Sequence, residues 1–170
     1  MTSFIQKIMT YEMYTKRDLI KEPVNFRKLF STVFKEIKQS YPNVKSFLEF
    51  ETGLPKISAD PILIGLAINN LMSNALKFSS KRALAKITVG CSEIDGDYVI
   101  YIKDNGAGFD MAFADKLFTP FQRLHDSQDY EGSGLGLASV KNIIHKHGGK
   151  TWIVSVPREG TVVYFTLPKD

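Results

Sequence analysis

Apolar residues recur at helical spacing between Asn25 and Tyr41, separated by charged and polar residues in the pattern of an amphipathic helix. Asn25 is a good N-cap, because its side-chain oxygen can accept a hydrogen bond from an N–H group of the first turn. The segment is therefore predicted to be a helix that buries one face, formed by Phe26, Leu29, Phe30, Val33, Phe34 and Ile37.

Two further helices are predicted from their start and stop signals. Asp60 and Pro61 supply a capping carboxylate and a proline at the first helical position, for a helix that runs to about Phe78. Another helix is predicted over residues 135–147, where two consecutive glycines end it.

The first 20 residues are separable from the rest of the chain. They have the pattern of a modestly amphipathic helix, and Pro23 makes its continuation unfavourable because the residue before a proline avoids helical backbone. Residues 1–21 are therefore predicted to be the end of a longer helical unit with its linker. Residues 22–170 are predicted to form one compact domain.

Alternation of apolar and polar residues marks the strands. Residues 86–92 and 98–104 alternate on either side of Asp95-Gly96, which is a strong hairpin signal. Further extended runs are predicted at residues 45–50, 55–57, 151–156 and 161–167. These elements predict an α+β fold of two layers, with three main helices and a mostly antiparallel sheet of five or six strands.

Composition and charge exclude several classes of function. Of the 170 residues 44% are hydrophobic and 24% charged, as in an ordinary globular domain. The net charge of +4 comes from 22 basic and 18 acidic residues that are scattered along the chain, a pattern that does not predict nucleic-acid binding. The apolar stretches are too short to predict membrane contact by this segment. The single Cys91 forms no disulfide framework, which suits a reducing cytoplasm.

The helix over residues 60–78 carries a set of polar and aromatic side chains on one face. Asn70, Asn74, Lys77 and Phe78 are spaced i, i+4, i+7 and i+8, so they project from the same side. An amide oxygen is a hard ligand that suits Mg²⁺, a lysine suits a phosphate, and an aromatic ring suits a purine. Taken alone, the segment is equally compatible with a polar stripe exposed to solvent.

A second motif, DNGAGF, begins with the residue that ends a predicted strand. Ile100, Ile102 and Asp104 share one face of that strand, so the carboxylate ends the face and can accept a hydrogen bond from the exocyclic amine of adenine. Gly106 and Gly108 let the backbone turn sharply and approach a flat ring. By itself DxGxG is a common turn sequence.

A third motif, EGSGLGLASVKNII, places Gly132, Gly134 and Gly136 at every second position directly before a helix. Such glycines let consecutive N–H groups point at a phosphate, and the start of a helix adds its positive dipole end. The βαβ context of a dinucleotide-binding fingerprint and the GK[ST] ending of a P-loop are both missing. The motif is therefore predicted to be a phosphate-facing glycine loop of another kind.

Between the second and third motifs lies an irregular segment rich in Gly, Asp and Ser, with a short helical stretch near residues 112–117. So long an irregular segment in a compact domain is either a functional lid or a misassigned element. Phe118 and Phe121 can anchor it in the body of the domain. Arg123 can reach a terminal phosphate, and an ordinary surface arginine is the alternative.

Together with FTPFQR, these motifs stand in the order and approximate spacing of the asparagine, first glycine, phenylalanine and second glycine boxes of sensor histidine kinases. From about Glu22 onward the chain resembles the catalytic and ATP-binding domain of that family. The family belongs to the GHKL superfamily of Bergerat-fold ATPases, shared with type II topoisomerases, mismatch-repair ATPases and heat-shock chaperones. The FQRLH and GSGLGL wording is similar to that of phytochrome-like and PAS-linked kinases.

The resemblance implies helices on one face of a mixed sheet, with Mg·ATP bound under a flexible lid at about residues 109–132. Asn74 would hold Mg²⁺, Asn70 would belong to the phosphate and metal shell, and Asp104 would bind the adenine amine. The implied catalytic residues are Asn70 and Arg123. The implied ATP-binding set is Asn70, Asn74, Lys77, Phe78, Asp104, Gly106, Gly108, Phe118, Arg123, Gly132, Ser133, Gly134, Leu135 and Gly136.

The resemblance also implies an acceptor outside this chain. Hydrolysing members of the superfamily carry a water-activating glutamate at the position of Asn70, and an amide cannot act as a general base. His125, His145 and His147 have the context of ordinary surface or capping histidines. Residues 1–21 resemble the last turns of the second dimerisation helix with its linker. The phosphoacceptor is therefore expected on an upstream dimerisation domain, with a homodimer and a response-regulator receiver domain as partners. An ATP-driven switch or hydrolase, and a non-enzymatic nucleotide-binding scaffold, are the alternatives.

Overall fold

The computed structural model describes residues 4–125, 129–130 and 132–169. A 3₁₀ helix, Met111–Lys116, precedes the last α-helix. In chain order the other elements are α1 (Phe4–Lys16), β1 (Glu22–Asn25), α2 (Phe26–Lys38), β2 (Ser46–Phe50), β3 (Lys56–Ala59), α3 (Pro61–Ser79), β4 (Ala85–Ile94), β5 (Asp97–Asp104), α4 (Gly136–Lys146), β6 (Thr151–Val156) and β7 (Gly160–Pro168).

A five-stranded sheet in the order β2-β4-β5-β7-β6 forms one layer of the domain. The strands β4, β5, β7 and β6 pair antiparallel, whereas the edge strand β2 runs parallel to β4. Between β4 and β5, Asp95 and Gly96 have φ values of 51° and 82°, which a tight two-residue hairpin requires. The predicted hairpin and the mixed, mostly antiparallel sheet are confirmed.

The three main helices begin and end close to their predicted limits. Oδ1 of Asn25 accepts the N–H of Lys28 at 3.0 Å at the start of α2. Asp60 accepts first-turn N–H groups of α3, where Pro61 stands at the first helical position. Beyond α4, Gly148 has φ +81°, the left-handed conformation typical of a helix C-terminus.

The helices cover one face of the sheet and leave the other accessible. Successive strand residues point to opposite faces of a sheet. In β6, Trp152 and Val154 are 39% and 44% exposed, whereas Ile153 between them is buried. The fold is thus the predicted two-layer sandwich. The core between its layers includes Phe26, Phe30, Ile64, Ile68, Met72, Ile87, Ile100, Ile144 and Phe165.

The strand β1 is not predicted from the sequence. It pairs antiparallel with β3 in a separate two-stranded sheet, with Val24 opposite Ile57. Pro23 lacks an N–H group and argues locally against a strand, but a two-stranded ribbon leaves edges on which a proline is tolerated. The pairing partner lies more than 30 residues away, so no local pattern indicates it.

The segment after α1 is fixed to the start of α3. The N–H of Ile20 donates to Oδ2 of Asp60 at 3.0 Å, and the guanidinium of Arg17 lies 3.2 Å from the same oxygen. Asp60 therefore caps a helix and holds the linker at once. That residues 1–21 end a dimerisation helix remains a prediction.

Candidate functional site

A cavity of about 620 Å³ opens between α3, the start of α4, one end of the sheet and the segment that precedes α4. Among the fourteen residues predicted to bind ATP, Gly106 and Phe118 do not line it. The other twelve do: Asn70, Asn74, Lys77, Phe78, Asp104, Gly108, Arg123, Gly132, Ser133, Gly134, Leu135 and Gly136. The fold thus brings three sequence motifs from distant parts of the chain to one site.

The polar face of α3 lies against the glycines of the third motif. A Cβ atom at Gly136 would lie 3.7 Å from Oδ1 of Asn70, and one at Gly132 would lie 3.1 Å from Nζ of Lys77. The ammonium group of Lys77 also lies 4.7 Å from the ring centroid of Phe78. Because the glycines carry no side chains, the amide of Asn70 and the ammonium group of Lys77 lie directly beside the main chain of the third motif.

The start of α4 carries an apolar residue at its N-cap position, and the N–H of this residue donates to Oγ of Ser133 at 3.4 Å. This N-cap residue, Leu135, makes no side-chain cap hydrogen bond. Leu135, Gly136 and Leu137 all line the cavity, so the positive end of the helix dipole opens into it. An uncapped helix start that faces a lysine and an asparagine is suited to bind an anion.

Asp104 supplies a buried carboxyl group to the same cavity. The residue is 7% exposed, and its Oδ1 accepts the N–H of Gly106 at 2.8 Å. Burial raises the pKa of Asp104 to about 7, although hydrogen bonds from the backbone of Gly106 and Thr161 act in the opposite direction. A further N–H donor from a ligand would favour the ionised form of this carboxyl group.

Gly106 shapes the loop after Asp104 without lining the cavity itself. A Cβ atom at Gly106 would lie 2.6 Å from the main-chain oxygen of Phe78 and 2.8 Å from Oδ1 of Asp104. The N–H of Ala107 donates to that same Phe78 oxygen at 3.0 Å. The loop therefore packs so closely against the end of α3 that any side chain at Gly106 would displace the carboxylate.

The predicted lid is attached to the third motif through its main chain. The N–H of Phe121 donates to the carbonyl oxygen of Gly134 at 3.0 Å. Gly134 has φ +75°, and a Cβ atom there would lie 2.9 Å from Cα of Phe121. Phe121 is 54% exposed, so the prediction that it anchors the segment by packing into the body of the domain is wrong. The predicted short helix is the 3₁₀ helix Met111–Lys116.

An aromatic cluster in the cavity was missed by the sequence analysis. Its ring centroids are 5.3 Å apart for Phe78 and His125, 5.0 Å for Phe78 and Tyr130, and 5.3 Å for His125 and Tyr130. The carbonyl oxygen of Tyr130 also accepts a hydrogen bond from Arg123 at 2.5 Å. The position of Tyr130 just before the third motif is the one sequence signal that could have indicated this aromatic cluster.

Of the three histidines, His145 and His147 agree with the expected surface and capping positions, and His125 does not. His125 is half-buried in the cavity, and burial lowers its pKa, so the expectation of a surface histidine is wrong there. His147 is 3% exposed at the end of α4. Its Nε2 accepts the N–H of Asp60 at 3.0 Å, which leaves Nδ1 to donate to the carbonyl oxygen of Ile143 at 2.7 Å. His145 is exposed, as expected.

Within the described ranges, no group of three or more His, Cys, Asp or Glu side chains could hold a metal ion. A metal at this site would therefore take amide oxygens from α3 and the remaining ligands from a bound molecule and water. In the same part of the chain, no helix is long and apolar enough to cross a membrane.

Comparisons with known proteins agree with this geometry. The family described as "Histidine kinase-, DNA gyrase B-, and HSP90-like ATPase" matches residues 59–170. The phytochrome-like protein Cph1 of Synechocystis is 34% identical over 170 residues, which cover 99% of this chain. The chain spans about a fifth of that relative, 22% of its length.

Solved structures give the same result for the fold. The mycobacterial sensor histidine kinase MprB is 26% identical, with a TM-score of 0.72 over 88% of this chain and 97% of that chain. Full-length ShkA in complex with AMPPNP is 24% identical, with a TM-score of 0.74 over 89% of this chain and 32% of that one. At that lower identity the second comparison shows the fold alone.

Proposed function

The chain belongs to the family of histidine kinase-, DNA gyrase B- and HSP90-like ATPases, as a catalytic domain of the sensor histidine kinase type, and from that premise we propose that it binds Mg·ATP for transfer of the γ-phosphoryl group to a histidine. The acceptor histidine would belong to a dimerisation domain outside this chain. One observation carries the proposal: a buried carboxyl group and an uncapped helix start open into one cavity.

The triphosphate is proposed to lie between α3 and α4. The N–H groups at the start of α4 and the ammonium group of Lys77 offer positive charge, and Gly132 and Gly136 leave the main chain accessible. The arrangement needs no lysine within the glycine motif itself, in contrast to a P-loop.

The adenine is proposed to lie at Asp104. The buried carboxylate would accept a hydrogen bond from the exocyclic amine, and the close packing of Gly106 against Phe78 keeps that carboxylate in place. The aromatic rings of Phe78, His125 and Tyr130 offer apolar surface to the nucleoside in the same cavity. The site should therefore distinguish adenine from guanine, which carries a carbonyl at the corresponding position.

The amide oxygens fit the metal that accompanies ATP. Asn74 and Asn70 are one helical turn apart on the cavity side of α3, and both are neutral oxygen ligands. Asn74 would hold Mg²⁺, and Asn70 would belong to the surrounding shell of phosphate and water. The ion would supply positive charge that neutralises the phosphate oxygens.

Transfer rather than hydrolysis follows from the residue types. Asn70 has no basic nitrogen or carboxylate that could activate water. In the transfer, an unprotonated histidine nitrogen forms a bond to the γ-phosphorus while the bond to the β–γ bridging oxygen breaks and ADP leaves. The other ring nitrogen then releases its proton to solvent. Arg123, which lines the cavity, is proposed to bind charge that develops on the transferred group.

The partners of the whole protein are also proposals. On α1, Ile5, Met9 and Met13 are spaced four residues apart and are 67%, 64% and 62% exposed, so one face of this helix is apolar and accessible. Such a face supports α1 as the end of a dimerisation helix in a homodimer. A response-regulator receiver domain would take the phosphoryl group onward. We place the protein in the cytoplasm, where ATP and a free thiol are both expected.

Calorimetric titration with ATP in the presence and absence of Mg²⁺ tests the proposed binding. Asn74→Ala should remove most of the dependence on magnesium and weaken ATP binding about tenfold or more, because it deletes a metal ligand. Asn43→Ala, in an exposed loop, is the matched control and should behave as the unaltered chain. Unchanged affinity and magnesium dependence in Asn74→Ala would rule out this assignment.

A further inference from the structure

Arg82 lies in the turn between α3 and β4 and does not line the cavity. Its guanidinium donates to three main-chain carbonyl oxygens. Nε donates to Asn105 at 2.8 Å, and Nη2 donates to Gly106 at 3.0 Å and to Arg158. The side chain therefore connects the loop after β5 with the turn between β6 and β7.

Other hydrogen bonds hold the same loop from its remaining sides. The Asn105 side chain accepts the N–H of Lys86 at 2.8 Å and donates to the carbonyl oxygen of Leu84 at 2.9 Å. The N–H of Arg158 donates to the carbonyl oxygen of Ala107 at 2.6 Å. The guanidinium of Arg82 and the N–H of Arg158 thus both join the loop after β5 to the turn between β6 and β7, and the guanidinium does so through three carbonyl oxygens.

An arginine suits this position for chemical reasons. Its guanidinium stays protonated and presents N–H donors in a fixed plane, so three carbonyl oxygens can converge on one rigid group. A lysine could reach only some of these oxygens from a single nitrogen atom. A neutral side chain would leave the three carbonyl oxygens to water and would weaken the connection between the two segments, which would then rest on the hydrogen bond from Arg158 to Ala107.

We propose that Arg82 is a positioning residue for recognition of the adenine base, an inference that rests on the proposed binding of ATP. The carbonyl of Asn105 and the N–H of Gly106 belong to one planar peptide unit, so by binding the Asn105 oxygen Arg82 also fixes the N–H of Gly106, which donates to Oδ1 of Asp104. The guanidinium thereby sets the direction in which the buried carboxylate points. Neither Arg82 nor any of the three residues whose carbonyl oxygens it binds lines the cavity.

This role predicts a loss confined to the base. In Arg82→Ala, ATP and ADP should bind about tenfold more weakly, the effect of losing roughly one charge-assisted hydrogen bond. Inorganic tripolyphosphate with Mg²⁺ uses only the phosphate end, so its affinity should stay within about twofold of the unaltered chain. The preference for ATP over GTP should fall by a similar factor.

The test is calorimetry with three probes, Mg·ATP, Mg·GTP and Mg·tripolyphosphate, on the unaltered chain and its variants. Arg82→Lys keeps the charge and some donors, and should bind ATP with an affinity between those of the unaltered chain and Arg82→Ala. Circular dichroism would show whether Arg82→Ala folds. If it does not, Arg82→Lys serves as the test variant. Arg27→Ala removes an exposed arginine from α2 and is the matched control.

Loss of ATP affinity with tripolyphosphate affinity retained, and partial recovery in the lysine variant, supports the positioning role. The proposal is overturned if the Arg82 variants bind ATP as the unaltered chain does, or if ATP and tripolyphosphate lose affinity equally. Failure of the unaltered chain to bind ATP would refute the proposed function as well, whereas a result confined to the Arg82 variants refutes only the positioning role.

Discussion

Asp104→Asn offers a sharp test of base recognition, because it changes one buried atom and the charge while keeping the shape. In the free protein the pKa of Asp104 is raised to about 7 by burial. If the adenine amine donates to the carboxylate, ATP favours the ionised form and binding lowers that pKa. ATP affinity should therefore increase as the pH rises to about 7 and then become constant, with proton release on binding near neutral pH.

The expected magnitude follows from the lost charge. A hydrogen bond to an ionised group contributes about 1.5–3 kcal/mol, which corresponds to about 10- to 150-fold in affinity. The asparagine amide can still accept from adenine, so ATP binding should weaken within that range. The amide can also donate to the carbonyl of guanine, so the preference for ATP over GTP should shrink or reverse.

Titration calorimetry from pH 5.5 to 8.5, in buffers with different ionisation enthalpies, measures both quantities. The γ-phosphate of ATP also titrates in this range, but it contributes equally to both proteins and is removed by comparison with Asp104→Asn. Asp97→Asn makes the same change at the opposite end of β5 and is the control. An unchanged ATP preference in Asp104→Asn, or an unchanged pH dependence, would refute the reasoning.

Two other outcomes are expected. If the guanidinium of Arg123 binds charge that develops in the reaction, Arg123→Ala should slow phosphotransfer at saturating ATP by about tenfold or more and change ATP affinity less than threefold. Single-turnover kinetics would separate the effect on transfer from the effect on binding. An equal loss in both would contradict this role. The free energy of unfolding should fall by up to about 4 kcal/mol as the pH rises from about 4 to about 7. The reason is that folding raises the pKa of Asp104 above its ordinary value of 3.8, so the folded state binds the proton more tightly than the unfolded state. Urea denaturation at several pH values checks this, and Asp104→Asn should remove most of the slope.

Local signals in the sequence predicted much of the fold. The caps at Asn25 and Asp60 act on the first turn of their own helices, and the turn at Asp95-Gly96 needs only its own backbone conformation. Each is a property of a few consecutive residues. In contrast, β1 exists because of pairing with β3, and Pro23 gives the opposite local signal.

The residues of the site also divide into those that local patterns predict and those that depend on contacts between distant segments. Helical spacing and glycine motifs predicted the residues of α3 and of the start of α4, since these positions depend on periodicity within one element. The contact between Phe78, His125 and Tyr130 depends on how the segment before α4 folds over α3. The three carbonyl contacts of Arg82 join segments up to 76 residues apart, so no spacing rule indicates them. The prediction for Phe121 failed because the residue is 54% exposed, while its main-chain N–H makes the contact with Gly134.

This domain is proposed to donate the γ-phosphoryl group to a histidine on another domain. The most direct measurement incubates the chain and γ-labelled ATP with a separately produced dimerisation domain that carries the acceptor histidine. An acceptor domain with that histidine replaced by glutamine is the control. We expect acid-labile, base-stable label on the intact acceptor domain, no stable label on the chain alone, and slow release of phosphate. Rapid phosphate release by the chain alone, or stable label on His125, would contradict the account.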